Sequence, residues 1–582
     1  MAFIKNILSS CLGAIIGFIV LIGIFILTLR IMASEGEFEV SDNSVLQLKL
    51  NTPIAEMDVE DPLGELFPGA SEQRVGLIQL KQAIAHAKDD AQIKGIYLSI
   101  NHLMTGIASV DEIRNSLIDF RKGGKWVVAY SDDYSEGGYY LASAADKVYL
   151  NPEGDLELNG LATEVTFFKK MFDKLEIKPE VFRVGEFKSA VEPFLRDNMS
   201  EPNRLQLNSM INSIYGEMLG KISESRKIPK DKIKEISDKM LVRKAEQAVT
   251  YGLVDSLYYE DQVKDELRGR LGLKKNKPIT FVKYSNYKKS FHISSESKNE
   301  IAVIVADGTI LPGESDRDVV GGATISDAIR KARINEKVKA IVLRINSPGG
   351  AFSASDQMWR EVSMAAKEKP VIASMSNYAA SGGYYLAMAC DTIVAQPTTI
   401  TGSIGIFSVL FDLSGFLGDK IGITSEEVKT GEIGALTTVM RPLTETEKDI
   451  WQKKTEEIYE TFTHKAAVGR KMSQDDIKKI ASGRVWTGNQ AKDNGLVDIL
   501  GGYDDAIRVA AEAAKVGKDY KLKFYPHQKT FLERWTGDTE QSARTMLLKN
   551  ELGENYAWFQ QWQRVKEYQG VQARMPWELK IR

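Results

Sequence analysis

Histidine is scarce in this chain, with five in 582 residues, at positions 86, 102, 292, 464 and 527, and none between 292 and 464. None has a ligand-like spacing to another. Cysteine is scarcer still: Cys11 and Cys390 are the only two, and no CxxC occurs. A disulfide framework is excluded, and no structural or catalytic metal and no cofactor is expected. The chain also lacks any long Lys/Arg run, its 76 basic and 79 acidic residues leaving a net charge of −3. Phosphate binding needs a concentrated basic face, so nucleic acid is not expected as a partner.

Charge is absent altogether from Asn6 to Leu29, "NILSSCLGAIIGFIVLIGIFILTL". As a helix this run reaches about 36 Å, enough to cross a hydrocarbon core of about 30 Å with some tilt. A cleaved signal peptide has a shorter apolar region of roughly 7 to 15 residues, and "IMASEG" is a poor cleavage site. Residues 1–34 are therefore expected to be a cytoplasmic tip and a single-pass anchor. Lys5 and the N-terminal amine precede the span, a weak vote for an inside N-terminus.

What the chain has in plenty is self-similarity. "AIAHAKDDAQIKGIYLSIN" (83–101) matches "AIRKARINEKVKAIVLRIN" (328–346), and "GGYYLASAADKVYLNP" (137–152) matches "GGYYLAMACDTIVAQP" (382–397), both 245 residues apart. "YGLVDSL" (251–257) and "NGLVDIL" (494–500) lie 243 apart. Two copies of one domain follow, 40–275 and 301–525, with a Lys- and Ser-rich linker at 276–300 and a tail at 526–582. Within each copy helical stretches such as "SDAIRKARI" alternate with apolar β-branched runs such as "VKAIVLRI". That rhythm predicts βαβ crossovers and an α/β fold with a mostly parallel sheet, whose strand-end loops collect the site.

The constant offset lets the copies be compared position by position. Opposite Pro348-Gly349-Gly350 the first copy has Leu103-Met104-Thr105, and opposite Ser403 of "TTITGSIGIF" it has Leu158. The lysine runs the other way. Aligned on the shared Gly-Glu pairs, Gly185-Glu186 and Gly431-Glu432, Lys188 of "RVGEFKSAVEPF" falls opposite Gly434 of "KTGEIGALTTV". The glycine loop and serine survive in one copy and the lysine in the other. A serine hydroxyl needs a base, and a buried lysine whose pKa falls toward neutrality can serve without histidine. Ser403 is accordingly the expected nucleophile and Lys188 the general base, with backbone N–H groups of Gly349, Gly350 and Ser403 as oxyanion donors. Gly402, Ile404 and Gly405 are expected to line a groove for an extended peptide. Ser381 of "AASGGYY" is the alternative nucleophile, with helix capping as its plainer role. Ser347 reads as a turn residue.

Together the apolar N-terminal run, the two repeats, "NSPGG", "YAASGGYY", "TGSIGI" and "VGEFKSAVEPF" resemble the signal peptide peptidase A, or protease IV, family in its long duplicated form. The resemblance covers essentially the whole chain, least well from about Gln528 onward. It implies two tandem crotonase/Clp-protease-like domains after a transmembrane helix, with Ser403 as nucleophile and Lys188 as base. It also implies a homotetramer on the outer, periplasmic face of the bacterial inner membrane, acting on remnant signal peptides and other hydrophobic unfolded segments. A crotonase-type acyl-CoA enzyme and a catalytically silent membrane scaffold are the rival readings. The anchor, the Ser and Lys pair and the absence of an obvious CoA-phosphate cluster count against them.

Overall fold

The run "VKAIVLRINS" forms the strand Val338–Ser347, buried along nearly its whole length because helices cover both faces of its sheet. Just before it, the helix Gly322–Ile334 buries Ile325, Ala328, Ile329 and Ala332, the 3, 4, 7 spacing of one helical face. Each isoleucine so buried contributes roughly 1.5–3 kcal/mol. The computed structural model describes residues 38–58, 74–101, 103–291, 296–526 and 570–575, with six further positions between 13 and 23. The expected span at 6–29 lies almost wholly outside the described residues. Among them, no helix is long and apolar enough to cross a membrane.

The duplication is visible element by element. Leu77–Asp89, Ile93–Ser99 and Trp126–Ser131 recur as Gly322–Ile334, Val338–Ser347 and Val371–Ala380, each starting 245 residues later. The first copy builds an all-parallel sheet in the order 256–257, 147–150, 126–131, 93–99, 44–49, 281–283. In the second copy Val371–Ala380 forks: Ile372–Met375 pairs with Thr392–Ala395, while Tyr378–Ala380 pairs with Ile400–Gly402. The fork carries Ser381 and Ser403 off the ends of two neighbouring strands.

Two expected boundaries change. The linker at 276–300 contains Phe281–Lys283, which pairs with Val45–Gln47 as the edge strand of the first sheet, so the first copy runs on past 275. Part of the tail, Gly570–Arg574, is a strand of the second copy's surroundings. Both were hidden because short strands pair through backbone and need little apolar sequence.

A third sheet locks the copies together. Its order is 319–321, 309–311, 349–351, 570–574, 407–412, 178–183. Lys178–Arg183 of the first copy lies antiparallel to Phe407–Asp412 of the second, paired through all six positions. Beneath, a buried ion cluster also joins them: Arg344 reaches Glu56 at 2.7 Å and Glu112 at 2.8 Å, and Glu112 also takes Lys81. Glu112 is held down at about 2 against its burial by Arg344 and Lys81. Such a cluster fixes register more than it adds stability, since desolvation offsets much of the attraction.

Candidate active site

The strand Lys178–Arg183 delivers Lys188. From its end the chain turns at Gly185 (φ 97°), and the Phe187 N–H donates to the Ser482 carbonyl at 3.1 Å. The Val184 N–H donates to the Ile406 carbonyl at 3.1 Å. The loop 481–484 holds the other side. A Cβ on Gly483 (φ 81°) would fall 2.6 Å from Lys188 Cβ, and one on Gly405 would fall 2.7 Å from Gly483 Cα. The lysine therefore enters along a wall that only glycine can form.

Lys188 ends between two serines. Its Nζ lies 3.0 Å from Ser403 Oγ, 3.0 Å from the Ser403 carbonyl oxygen and 2.8 Å from Ser381 Oγ. All three residues are fully buried. Burial pushes the Lys188 pKa well below the ordinary lysine value, with no neighbouring carboxylate acting to restore it. A neutral amine can accept a proton; an ammonium cannot.

Both serines sit at positive φ, Ser403 at 51° and Ser381 at 55°, the latter with ψ −111°. Non-glycine residues seldom adopt it, and such strain concentrates at functional positions. At Gly402 (φ 75°) a Cβ would come 2.8 Å from Trp486 Cδ1, so this glycine permits the turn into Ser403.

The expected donors and groove residues fare differently. The Ser403 N–H donates to the Arg484 carbonyl at 2.7 Å, because the left-handed turn aims it at the 481–484 loop; it does not face an oxyanion position. Gly349 donates to Ser347 Oγ at 3.2 Å, and Gly349 and Gly350 form a strand opposite Arg574 and Ala573. Ile404 does not line a groove: it is fully buried in the core of the second copy with Ile406. Gly405 packs on the lysine instead of lining a groove.

Sequence reasoning missed the residues that hold the lysine segment. Gln206 donates to the Phe187 carbonyl at 3.0 Å and to Ser189 Oγ at 2.9 Å, while its own oxygen accepts from the Val485 N–H at 3.3 Å. Asn203 accepts from Ser189 Oγ at 2.9 Å and donates to Glu192 at 3.0 Å. Buried polar side chains on the helix Glu201–Arg226 were the available signal. Gly483 also had one: 243 residues earlier, on the late offset, stands Met240.

In the first copy the equivalent pocket is closed. Glu136 stands where Ser381 would be, and accepts from the Gly160 N–H at 3.0 Å; burial lifts its pKa to about 7. Leu158, opposite Ser403, packs into the first core.

The model of peptidase family S49 matches residues 119–274 and 363–517, one segment in each copy. Protease 4 of Salmonella typhi is 39% identical over 83% of this chain and 80% of its own. Protease 4 of Haemophilus influenzae is 34% identical over 84% and 82%, and the chloroplastic serine protease SPPA of Arabidopsis thaliana 35% identical over 86% and 73%. Among solved structures, a ClpP1 mutant from Listeria monocytogenes aligns over 36% of this chain and 95% of its own at a TM-score of 0.24 and 16% identity, too low a score to carry an argument. A duplicated α/β chain with these relatives is a serine peptidase. It belongs to peptidase family S49, in the signal peptide peptidase A or protease IV group.

Proposed function

We propose that this serine peptidase works through a Ser403–Lys188 dyad divided between its two copies. The observation that carries the reading is the 3.0 Å contact between Lys188 Nζ and Ser403 Oγ in a fully buried setting. Neutral Lys188 takes the hydroxyl proton as Ser403 Oγ attacks the peptide carbonyl carbon. The resulting ammonium gives that proton to the departing amine as the C–N bond breaks. Water then attacks the acyl carbon and loses a proton to Lys188, and as the C–O bond to Ser403 breaks that ammonium returns the proton to Ser403 Oγ, releasing the new acid and restoring the neutral amine. Ser381, touching the same nitrogen, positions it.

A fluorophosphonate probe tests this. We expect a covalent adduct on Ser403, mapped by peptide mass spectrometry. An intact, folded chain that gives no adduct there would remove the dyad and favour a silent scaffold.

The substrates in this reading are hydrophobic, unfolded peptides, remnant signal peptides among them. Residues 6–29 anchor the chain in the bacterial inner membrane, with the copies on the periplasmic face, close to peptides leaving the bilayer. A homotetramer is part of the same proposal. Within one chain Lys178–Arg183 pairs with Phe407–Asp412. The counterparts 245 residues away, 423–428 and 162–167, form no strand, and Val428 is 99% exposed. A neighbouring chain that set 423–428 against 162–167 would repeat the internal pairing head to tail, the kind of contact that closes into a ring. Light scattering on the detergent-solubilised chain should give four copies; a monomer would remove the ring and leave the dyad standing.

A further inference from the structure

Arginines drawn into this fold find an acid or a carbonyl. Arg344 Nε lies 2.7 Å from Glu56, Arg226 lies 3.0 Å from Asp255, and Arg114 donates to the Tyr140 and Lys221 carbonyls at 3.0 Å each. Arg484 differs. It is half-buried, its Nε is shut off from solvent with no acceptor, and no acid among the described residues forms an ion pair with it. Burial draws its pKa below the ordinary arginine value, opposed from a distance by Glu186, which is exposed. Leaving a charged donor without a partner is costly, so such a group calls for a ligand.

What the guanidinium does have is aromatic. Its Cζ lies 4.1 Å from the centre of the Trp486 ring and 5.0 Å from that of Phe187. Both walls are pinned: Trp486 Nε1 donates to the Ile480 carbonyl at 2.9 Å, and the Phe187 carbonyl accepts from Gln206. Stacking engages the flat face of the cation and leaves the N–H fork at its rim, the part that takes a carboxylate through two parallel hydrogen bonds.

The place is next to the reacting groups. The Arg484 carbonyl takes the Ser403 N–H, and Phe187 directly precedes Lys188. In the proposed reaction the Lys188 ammonium hands its proton to the departing amine. The leaving half of the peptide therefore lies on the lysine side of Ser403, the side that Phe187 and Arg484 flank. The first copy, which has no serine to serve, carries Leu241 opposite Arg484 on the late offset of 243.

We propose that the Arg484 guanidinium receives the C-terminal carboxylate of the leaving half, so that the peptidase favours peptides that end shortly after the cut. The inference rests on the Ser403–Lys188 reading above. An acidic side chain carries the same group, but an apolar peptide left by an earlier cleavage brings its carboxylate only at its end. Arg484 is then a substrate-binding residue that measures the distance from the cut to the chain end.

The test follows kcat/KM of the full chain, read by chromatography, on apolar peptides with one to four residues beyond the cut, each made as the free acid and as the C-terminal amide. Losing a charge-assisted pair should cost the amide at least about tenfold at the best length. In Arg484→Gln the acid-to-amide ratio should fall to about one, and in Arg484→Lys, which keeps the charge and loses the fork, it should lie between. An amide ending in aspartate separates the two sources of carboxylate and should run no faster than the plain amide. The proposal is overturned if the unmodified chain treats acid and amide alike within about twofold at every length, a comparison that needs no variant to fold. It is overturned equally if the preference survives in Arg484→Gln, or if the aspartyl amide matches the free acid. An unmodified chain with neither turnover nor fluorophosphonate labelling of Ser403 would strike the peptidase reading instead.

Discussion

Ser403→Ala should lower kcat on an apolar peptide by roughly 10³–10⁶-fold, with the fold intact. The change removes one oxygen from a residue whose backbone is already held by the Arg484 carbonyl and by the turn at Gly402. Alanine should keep that turn, so circular dichroism and melting should differ little from the unmodified chain. Ser381→Ala separates the two hydroxyls that touch Lys188. If Ser381 only positions the amine, its loss costs far less in kcat, and the fluorophosphonate adduct stays on Ser403. Near-full activity of Ser403→Ala beside a dead Ser381→Ala would transfer the nucleophile to the helix turn.

Lys188→Arg should be inactive throughout the usable pH range, because a guanidinium stays protonated where the buried amine does not. In the unmodified chain kcat/KM should climb with pH through the depressed pKa of Lys188 and then level off. Stability gives an independent check. Between that depressed pKa and the ordinary value of 10.5, the unfolded lysine holds a proton that the native one has released. Native stability therefore rises with pH across this window. A Lys188→Met chain lacks the effect, so its stability advantage over the unmodified chain should be largest below the window and shrink toward pH 10.5. Equal stabilities at every pH would mean that Lys188 is not buried as described.

The pairing of Lys188 with Ser403 was legible because two copies at a fixed offset expose what each has lost. The offset locates residues, not directions, and this is where reading fell short. Ile404 was expected in a groove wall, yet it turns into the core with Ile406, since the segment is enclosed by the lysine loop on one side and the second copy on the other. The supporting loop at 481–484 acts through carbonyls and one glycine, groups every sequence contains. Gly570–Arg574 escaped for a similar reason: "GVQAR" is neither strongly apolar nor β-rich, and its place is set by the backbone edges it joins.

The pairing of Lys178–Arg183 with Phe407–Asp412 also has a kinetic side. These partners are more than 200 residues apart in sequence, so their contact closes a long loop, and contacts of that separation form late. During synthesis the first copy can fold while the second is still emerging, and it carries an amine with no hydroxyl beside it. The complete dyad needs Ser403 and the 481–484 loop as well, which arrive only near the end. If the proposed dyad carries the chemistry, the chain is harmless to its own unfolded segments while it is being made, and becomes a peptidase only as the last large piece docks.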